Sequence, residues 1–181
     1  MELELKKERF LITGGYGFIG SCLIRELINN DLIEICNIDK LSYSSNTKSF
    51  DTSSIRNYQF KKIDIADAKS INKAVIEFKP DYILHLAAET HVDRSIDGPN
   101  EFIQSNIIGT DNLLNSSYDY WKNLKSNKKD TFKVLYVSTD EIYGSLGIND
   151  NSFTEDSNYK PNSPYSATKA AGDHLVRAWN K

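Results

Sequence analysis

Tyr165 and Lys169 form a Tyr-x-x-x-Lys pattern in a stretch that reads as a helix. Residues at i and i+4 share a helix face, about one turn apart. A nearby ammonium favours phenolate and lowers a tyrosine's pKa, which suits proton exchange with an alcohol during hydride transfer. The same spacing also describes a solvated pair on a helix surface. Thr139, Asp140 and Glu141 follow an apolar run directly. An acid and a base side by side would suit elimination of water, provided their environments split their pKa values. A solvated acidic loop has the same sequence.

Gly14-Gly15-Tyr16-Gly17-Phe18-Ile19-Gly20 satisfies GxGxxG from Gly15 and GxxGxxG from Gly14. Such glycines permit a tight turn and let backbone approach a pyrophosphate at a helix N-terminus. No lysine follows Gly20, so the segment is not a P-loop. Asp39 lies 19 positions after Gly20, where a carboxylate holds adenosine ribose hydroxyls. It would repel a 2′-phosphate, so NAD is expected over NADP, although the neighbouring Lys40 could soften that repulsion. Asp64 and Ile65 close a later strand, where Asp64 is either an adenine acceptor or a simple turn residue. His85 and His91 are six apart without HExxH or a Cys cluster, so no metal is expected. His85 lies in an apolar strand and reads as a satisfied core histidine.

The elements that must position these residues alternate. Strands are expected at Arg9–Thr13, Leu32–Ile38, Tyr58–Ile63, Tyr82–Ala87 and Phe132–Ser138. Helices are expected over Phe18–Asn29, over Asp67–Phe78 with Asp67 as N-cap, and from roughly Asn100 to Leu124 after Gly98-Pro99. Ser42–Asn57 reads as a loop with room for a short helix, Ser126–Thr131 as a charged turn, and Asp140–Asn162 as an extended loop. Ser163 as N-cap and Pro164 at the first helical position open the last helix. This order predicts an α/β fold with a doubly wound parallel sheet. Near-continuous apolar strands indicate a sheet covered on both faces. Every motif above falls at a strand's carboxyl end, where such sheets bind ligands.

The 181 residues fit one domain. With 22 Lys and Arg against 25 Asp and Glu, the net charge is −3, which argues against a nucleic-acid partner. No apolar run approaches the ~20 residues of a membrane span, and the charged opening MELELKKERF lacks a signal peptide's apolar region. Cys22 and Cys36 make no disulfide framework, so a cytoplasmic location is expected.

Together these blocks resemble the extended short-chain dehydrogenase/reductase superfamily and, more narrowly, the dTDP-glucose 4,6-dehydratase family. The resemblance rests on GGYGFIG at 14–20, NIDKLSY at 37–43, HLAAETHVDRSIDGP at 85–99, FIQSNIIGT at 102–110, VSTDEIYG at 137–144 and SPYSATKAAGDHLVRAW at 163–179. It implies a Rossmann-type NAD-binding domain over residues 1–181, in a family whose members are nearly twice as long. The last strands and the small sugar-nucleotide domain would then lie outside this chain, leaving a fragment of low activity. Cofactor contacts are implied from Gly14, Gly17, Phe18, Ile19, Gly20, Asp39, Lys40, Leu41, Ser42, Asp64, Ile65, Leu86, Ala87, Ala88, Thr90, Ser105, Tyr165 and Lys169. Thr90 and Ser105 stand where the family often has Ser and Thr, so both hydroxyls survive.

The implied reaction converts dTDP-glucose to dTDP-4-dehydro-6-deoxyglucose by hydride transfer, water elimination and hydride return. Tyr165 would take the 4-hydroxyl proton, Glu141 the C5 proton, and Asp140 would protonate the departing C6 hydroxyl. Thr139 would hydrogen-bond the sugar near C4, and Thr90 is implied as a second substrate contact. A homodimer through a shared helix bundle is implied as well, and the 100–124 stretch carries apolar residues on more than one face. Two other readings compete. A sugar-nucleotide 4-epimerase of the same superfamily typically lacks the Asp-Glu pair, and a non-catalytic NAD-binding module would need none of it.

Overall fold

The computed structural model describes residues 7–52 and 55–180. The first six residues of the charged opening stretch and positions 53 and 54 of the expected loop lie outside the described residues. Five strands form one parallel sheet in the order β3-β2-β1-β4-β5. They are β1 (Glu8–Thr13), β2 (Ile33–Asp39), β3 (Tyr58–Lys62), β4 (Tyr82–His85) and β5 (Lys133–Tyr136). The order reverses between β1 and β4, which makes the crevice at their carboxyl ends the ligand position of a doubly wound sheet. The expected fold class therefore holds.

Alternation along β1 builds both layers of the core. Leu11 packs with Cys36, Ile38, Ile83 and the helix residues Ile71, Val75, Phe78 and Leu113 on one face. Ile12 packs with Ile33, Ile35 and Ile24 on the other. The covering helices are α1 (Phe18–Leu27), α2 (Ala68–Phe78) and α5 (Thr110–Lys122). Asp67 caps α2 as expected, accepting from the N–H groups of Lys69 and Ser70 at 3.1 and 3.2 Å. Leu135 of β5 is exposed, so burial on both faces holds for the inner strands and fails at this edge. Among the described residues no helix is long and apolar enough to cross a membrane.

Two expectations need correction. The single helix over 100–124 is instead α4 (Pro99–Phe102), π-helical turns at Ile103–Gly109, and α5. A further helix, α3 (Val92–Asp97), lies inside the HVDRSI block. The charged turn at 126–131 is a helix, α6 (Ser126–Thr131). Tertiary contacts hold α6: Trp121 Nε1 donates to Lys129 O at 3.3 Å, and Lys128 lies 3.6 Å from Asp81. The long loop opens with a 3₁₀ turn, Asp140–Tyr143. The described part of the 42–57 loop contains turns and no helix.

Candidate active site

The glycine turn leaves β1 and enters α1 directly. Gly14 has φ +72°, a left-handed backbone, and a Cβ there would sit 2.7 Å from the Ala87 backbone. Gly20 is required for a different reason, since any Cβ would overlap the Gly14 carbonyl. The turn is thus closed against the 86–88 segment that follows β4. Gly17 is the N-cap of α1 and offers no capping side chain. The first-turn N–H groups of an α-helix lack intrahelical partners and, with the dipole, favour an anion. The Phe18 and Ile19 side chains point to solvent, at 94% and 59% exposure, so these residues can serve a ligand through their backbone.

A cleft over this turn is lined by Gly14, Gly17, Asp39, Lys40, Ser42, Ile65, Leu86, Ala87, Ala88 and Ser105, all expected from the sequence. Ile38, Ser44, Ser45 and Ile63 line it too and were not expected. A second cleft adjoins it, sharing Lys40, Ser42 and Ser105 and adding Asp64, Glu89 and Arg94. Asp64 is a turn residue, its Oδ1 accepting from Ala66 N at 2.9 Å, and it also lines this second cleft. Leu41 sits beside the cleft in a left-handed conformation, φ 61°. Thr90 is exposed on the segment after Glu89 and lines neither cleft.

Asp39 is more than a free acceptor. Its Oδ1 accepts from Leu41 N at 2.8 Å and Ser45 Oγ at 2.9 Å, and its Oδ2 from Tyr16 N at 3.0 Å. A carboxylate has about four acceptor positions, so room for a further hydroxyl remains. The side chain therefore pins the glycine turn to the 41–45 loop while facing the cleft. Lys40 does not lie free beside it, because its Nζ is 2.7 Å from Glu89 Oε1.

Tyr165 lies in α7 (Pro164–Trp179), whose start follows the sequence expectation. Ser163 Oγ accepts from Ser166 N at 3.0 Å, completing a capping box behind Pro164. Tyr165 N donates to Ser95 Oγ of α3 at 3.1 Å, which fixes this turn against the HVDRSI helix. The Tyr165 side chain is buried beside Thr139, Asp140 and Glu141. Thr139 Oγ1 accepts from Glu141 N at 3.3 Å, which sets the turn that carries both carboxylates.

The expected fall in the Tyr165 pKa is overturned. Burial raises it, and the nearby charges of Glu141 and Asp140 raise it further, against a lowering hydrogen bond from Thr139. The Lys169 ammonium is turned to Val137 O at 2.6 Å and lies over the Tyr136 ring at 4.2 Å. Burial lowers its pKa to about 8. One of its three donors is used at Val137, leaving others for a ligand.

His85 is a core histidine, as expected, but it belongs to a chain of buried hydrogen bonds. Thr13 Oγ1 lies 2.7 Å from its Nδ1 and Thr110 Oγ1 lies 3.0 Å from its Nε2. Thr110 Oγ1 donates to Asn106 O at 2.7 Å, so it can only accept from His85. Asn106 Nδ2 then donates to Glu89 O at 2.9 Å and to Thr168 Oγ1 at 3.0 Å, and Thr168 donates to Tyr165 O at 2.8 Å. Sequence reasoning missed Asn106, Ser95 and Thr168. The signal for Asn106 was a polar residue inside the apolar run FIQSNIIGT.

The family model for GDP-mannose 4,6 dehydratase matches residues 11–181. A probable dTDP-glucose 4,6-dehydratase of Sinorhizobium fredii is 51% identical over 174 residues, 96% of this chain and 49% of that protein. The solved dTDP-glucose 4,6-dehydratase of Streptomyces venezuelae, with NAD bound, is 37% identical with a TM-score of 0.81, covering 95% of this chain and 51% of that one. The UDP-glucose 4-epimerase of Thermus thermophilus in complex with NAD reaches 0.80 at 28% identity, covering 95% and 50%. This chain spans about half the length of the relatives it matches. The family model and the relatives name different nucleotide sugars, so the match fixes the family and leaves the substrate open. On a match that runs from β1 to its last residue, the chain belongs to the GDP-mannose 4,6 dehydratase family.

Proposed function

We propose that this chain is the NAD-binding part of a nucleotide-sugar 4,6-dehydratase acting on dTDP-glucose. The observation that carries the reading is the meeting of Tyr165 with Thr139, Asp140 and Glu141 at the same sheet edge as the glycine turn. The cleft fits NAD: its floor is bare at Gly14, which admits no side chain, and Asp39 stands at its ribose end. When bound, NAD takes a hydride from the sugar and later returns it. Phe18 and Ile19 offer backbone N–H groups to the pyrophosphate, while the Gly17 N–H closes the turn on Gly14 O at 3.0 Å. Asp39, Lys40, Leu41 and Ser42 frame the adenosine ribose, and Asp64, Ile65 and Ser105 the adenine side. Leu86, Ala87 and Ala88 border the nicotinamide half, Lys169 holds its ribose, and Thr90, outside both clefts, is left for the substrate.

Tyr165 takes the sugar 4-hydroxyl proton, with Thr139 holding the same region of the sugar. A phenol can take that proton only after losing its own, and burial with the neighbouring carboxylates opposes that loss, so the phenolate that accepts the proton would form only with cofactor and sugar bound. Glu141 removes the C5 proton and Asp140 protonates the departing C6 hydroxyl. Asp140 is exposed and Glu141 half-buried, so the two meet different surroundings. An epimerase has no use for this pair.

The test of the cofactor reading is a fluorescence or calorimetric titration. NAD is expected to bind at least about tenfold more tightly than NADP, the size of one screened like-charge contact. Asp39→Ala narrows that ratio and weakens both nucleotides, because it also unpins Tyr16 and Leu41. Equal or tighter NADP binding to the unaltered chain removes the reading.

The 181-residue chain is expected to give little or no turnover of dTDP-glucose with added NAD. Relatives are twice as long, and we assign the grip on the sugar's nucleotide to that additional length. Remote binding energy positions a reacting sugar, and about 1.4 kcal/mol of lost orientation costs tenfold in rate. Product at the rate of a full-length dehydratase would overturn this.

We also place the protein in the cytoplasm without a nucleic-acid partner, on the free thiols of Cys22 and Cys36 and the net charge of −3. We further propose a homodimer through the stretch from Ile103 to α5 together with α7, motivated by exposed Ile103 and Ile108 in the π-helical turns, Tyr118 in α5 and Trp179 in α7, the last two with rings 5.1 Å apart. Light scattering is expected to give twice the monomer mass; a monomer at high micromolar concentration counts against it.

A further inference from the structure

We propose that Glu89 is a cofactor-selectivity residue, whose carboxylate captures the Lys40 ammonium and withholds that cation from the ribose 2′ position beside Asp39. This rests on the NAD reading above. Lys40 follows Asp39 directly and lines both clefts, so it is the cation best placed to attract a 2′-phosphate. Left free, it would offset the repulsion from Asp39 and blunt the discrimination.

Glu89 is built as a fixed anchor. Its residue is 4% exposed, and Asn106 grips its backbone on both sides. Glu89 N donates to Asn106 Oδ1 at 2.8 Å, and Glu89 O accepts from Asn106 Nδ2 at 2.9 Å. Asn106 is itself buried in the π-helical turn and tied to Thr168. The backbone that carries the carboxylate is thus fixed, and its side chain is almost wholly buried, at 6% exposure. The lysine is the more exposed member, its side chain 33% exposed against 6% for Glu89. The anion therefore decides where the ammonium rests.

The surrounding charges agree. Burial lowers the Lys40 pKa, but hydrogen bonding and attraction from Glu89, with Asp64 and Glu101, outweigh it and leave the net shift upward. The other cation lining the second cleft, Arg94, is stacked on the Tyr43 ring at 3.8 Å. Discrimination against the wrong ligand thus depends on an element that removes an attraction, together with the repulsive Asp39.

The test is calorimetric titration of the 181-residue chain with NAD and with NADP. Glu89→Gln keeps the backbone bonds to Asn106 and removes the charge. It is expected to shift the NADP-to-NAD affinity ratio at least about tenfold towards NADP, with the gain falling as salt rises. Adding Lys40→Met to that variant should abolish the gain. Lys40→Met alone should change the ratio less than twofold, and this arm does not depend on Glu89→Gln folding. An unchanged ratio in folded Glu89→Gln, or a specific loss of NADP binding in Lys40→Met alone, overturns the proposal. The NAD reading fails separately, on the unaltered chain, which would then bind neither nucleotide or bind NADP at least as tightly as NAD, and this inference falls with it.

Discussion

Gly20→Ala is expected to reduce NAD affinity by at least about a hundredfold, some 2.7 kcal/mol. The position is the third helical residue of α1, where alanine is normally favourable. Here the methyl group would overlap the Gly14 carbonyl and press on Gly15 Cα. Neither is the far end of a flexible side chain, so backbone must move. Gly14 cannot retreat, because it is already in a left-handed conformation against the Ala87 backbone, and its N–H donates to Ile38 O at 2.8 Å. The strain would therefore appear as a displaced start of α1, and its N–H groups would no longer aim at the cleft. Overpacking of this kind costs about 1–3 kcal/mol in stability as well. Circular dichroism would separate misfolding from lost binding. A folded Ala variant that binds NAD within tenfold of the unaltered chain would show that the close approach is not needed.

His85 is expected to make the fold acid-sensitive. Burial, with a smaller effect from the Lys169 charge, lowers its pKa from 6.5 to about 3. The folded chain keeps His85 neutral, accepting from Thr13 and donating to Thr110. The unfolded chain takes up a proton near pH 6.5. Between about pH 6.5 and 3 the unfolded state therefore binds more protons, so stability falls as pH falls. The slope approaches about 1.4 kcal/mol per pH unit, and the loss nears about 5 kcal/mol by pH 3. His85→Gln removes the titration and retains one donor and one acceptor. Chemical denaturation at steps between pH 4 and 7 should give a flatter profile for Gln, although its stability at pH 7 is lower. Parallel profiles would mean His85 is not what couples this fold to pH.

The local chemistry of this protein was legible in its sequence. Periodicity alone sets the alternation of strands and helices, since a period near two and one near 3.6 cannot be exchanged without moving apolar residues to solvent. Glycines at 14 and 20 announce a turn that only bare backbone can make. Ser163-Pro164 announces a helix start, because a cap and a fixed φ act within one turn. What the sequence could not settle was anything depending on residues far apart along the chain. SNKKDT at 126–131 has no strong helical signal, and its helix exists because Trp121 and Asp81 hold it. The stretch 100–124 looks like one helix because both α and π turns are built from the same residue types, and the wider turns follow from how Ser105, Asn106 and Gly109 pack. The Tyr165–Lys169 spacing suggested an ammonium lowering a phenol. Spacing says nothing of burial, nor of the 2.6 Å bond that turns Lys169 to Val137 and leaves Tyr165 among carboxylates. Asp39-Lys40 likewise read as a carboxylate with a cation at its side. Only the tertiary fold brings Glu89, fifty residues later, to within 2.7 Å of that cation, because parallel strands β2 and β4 flank β1 and deliver both ends to one crevice.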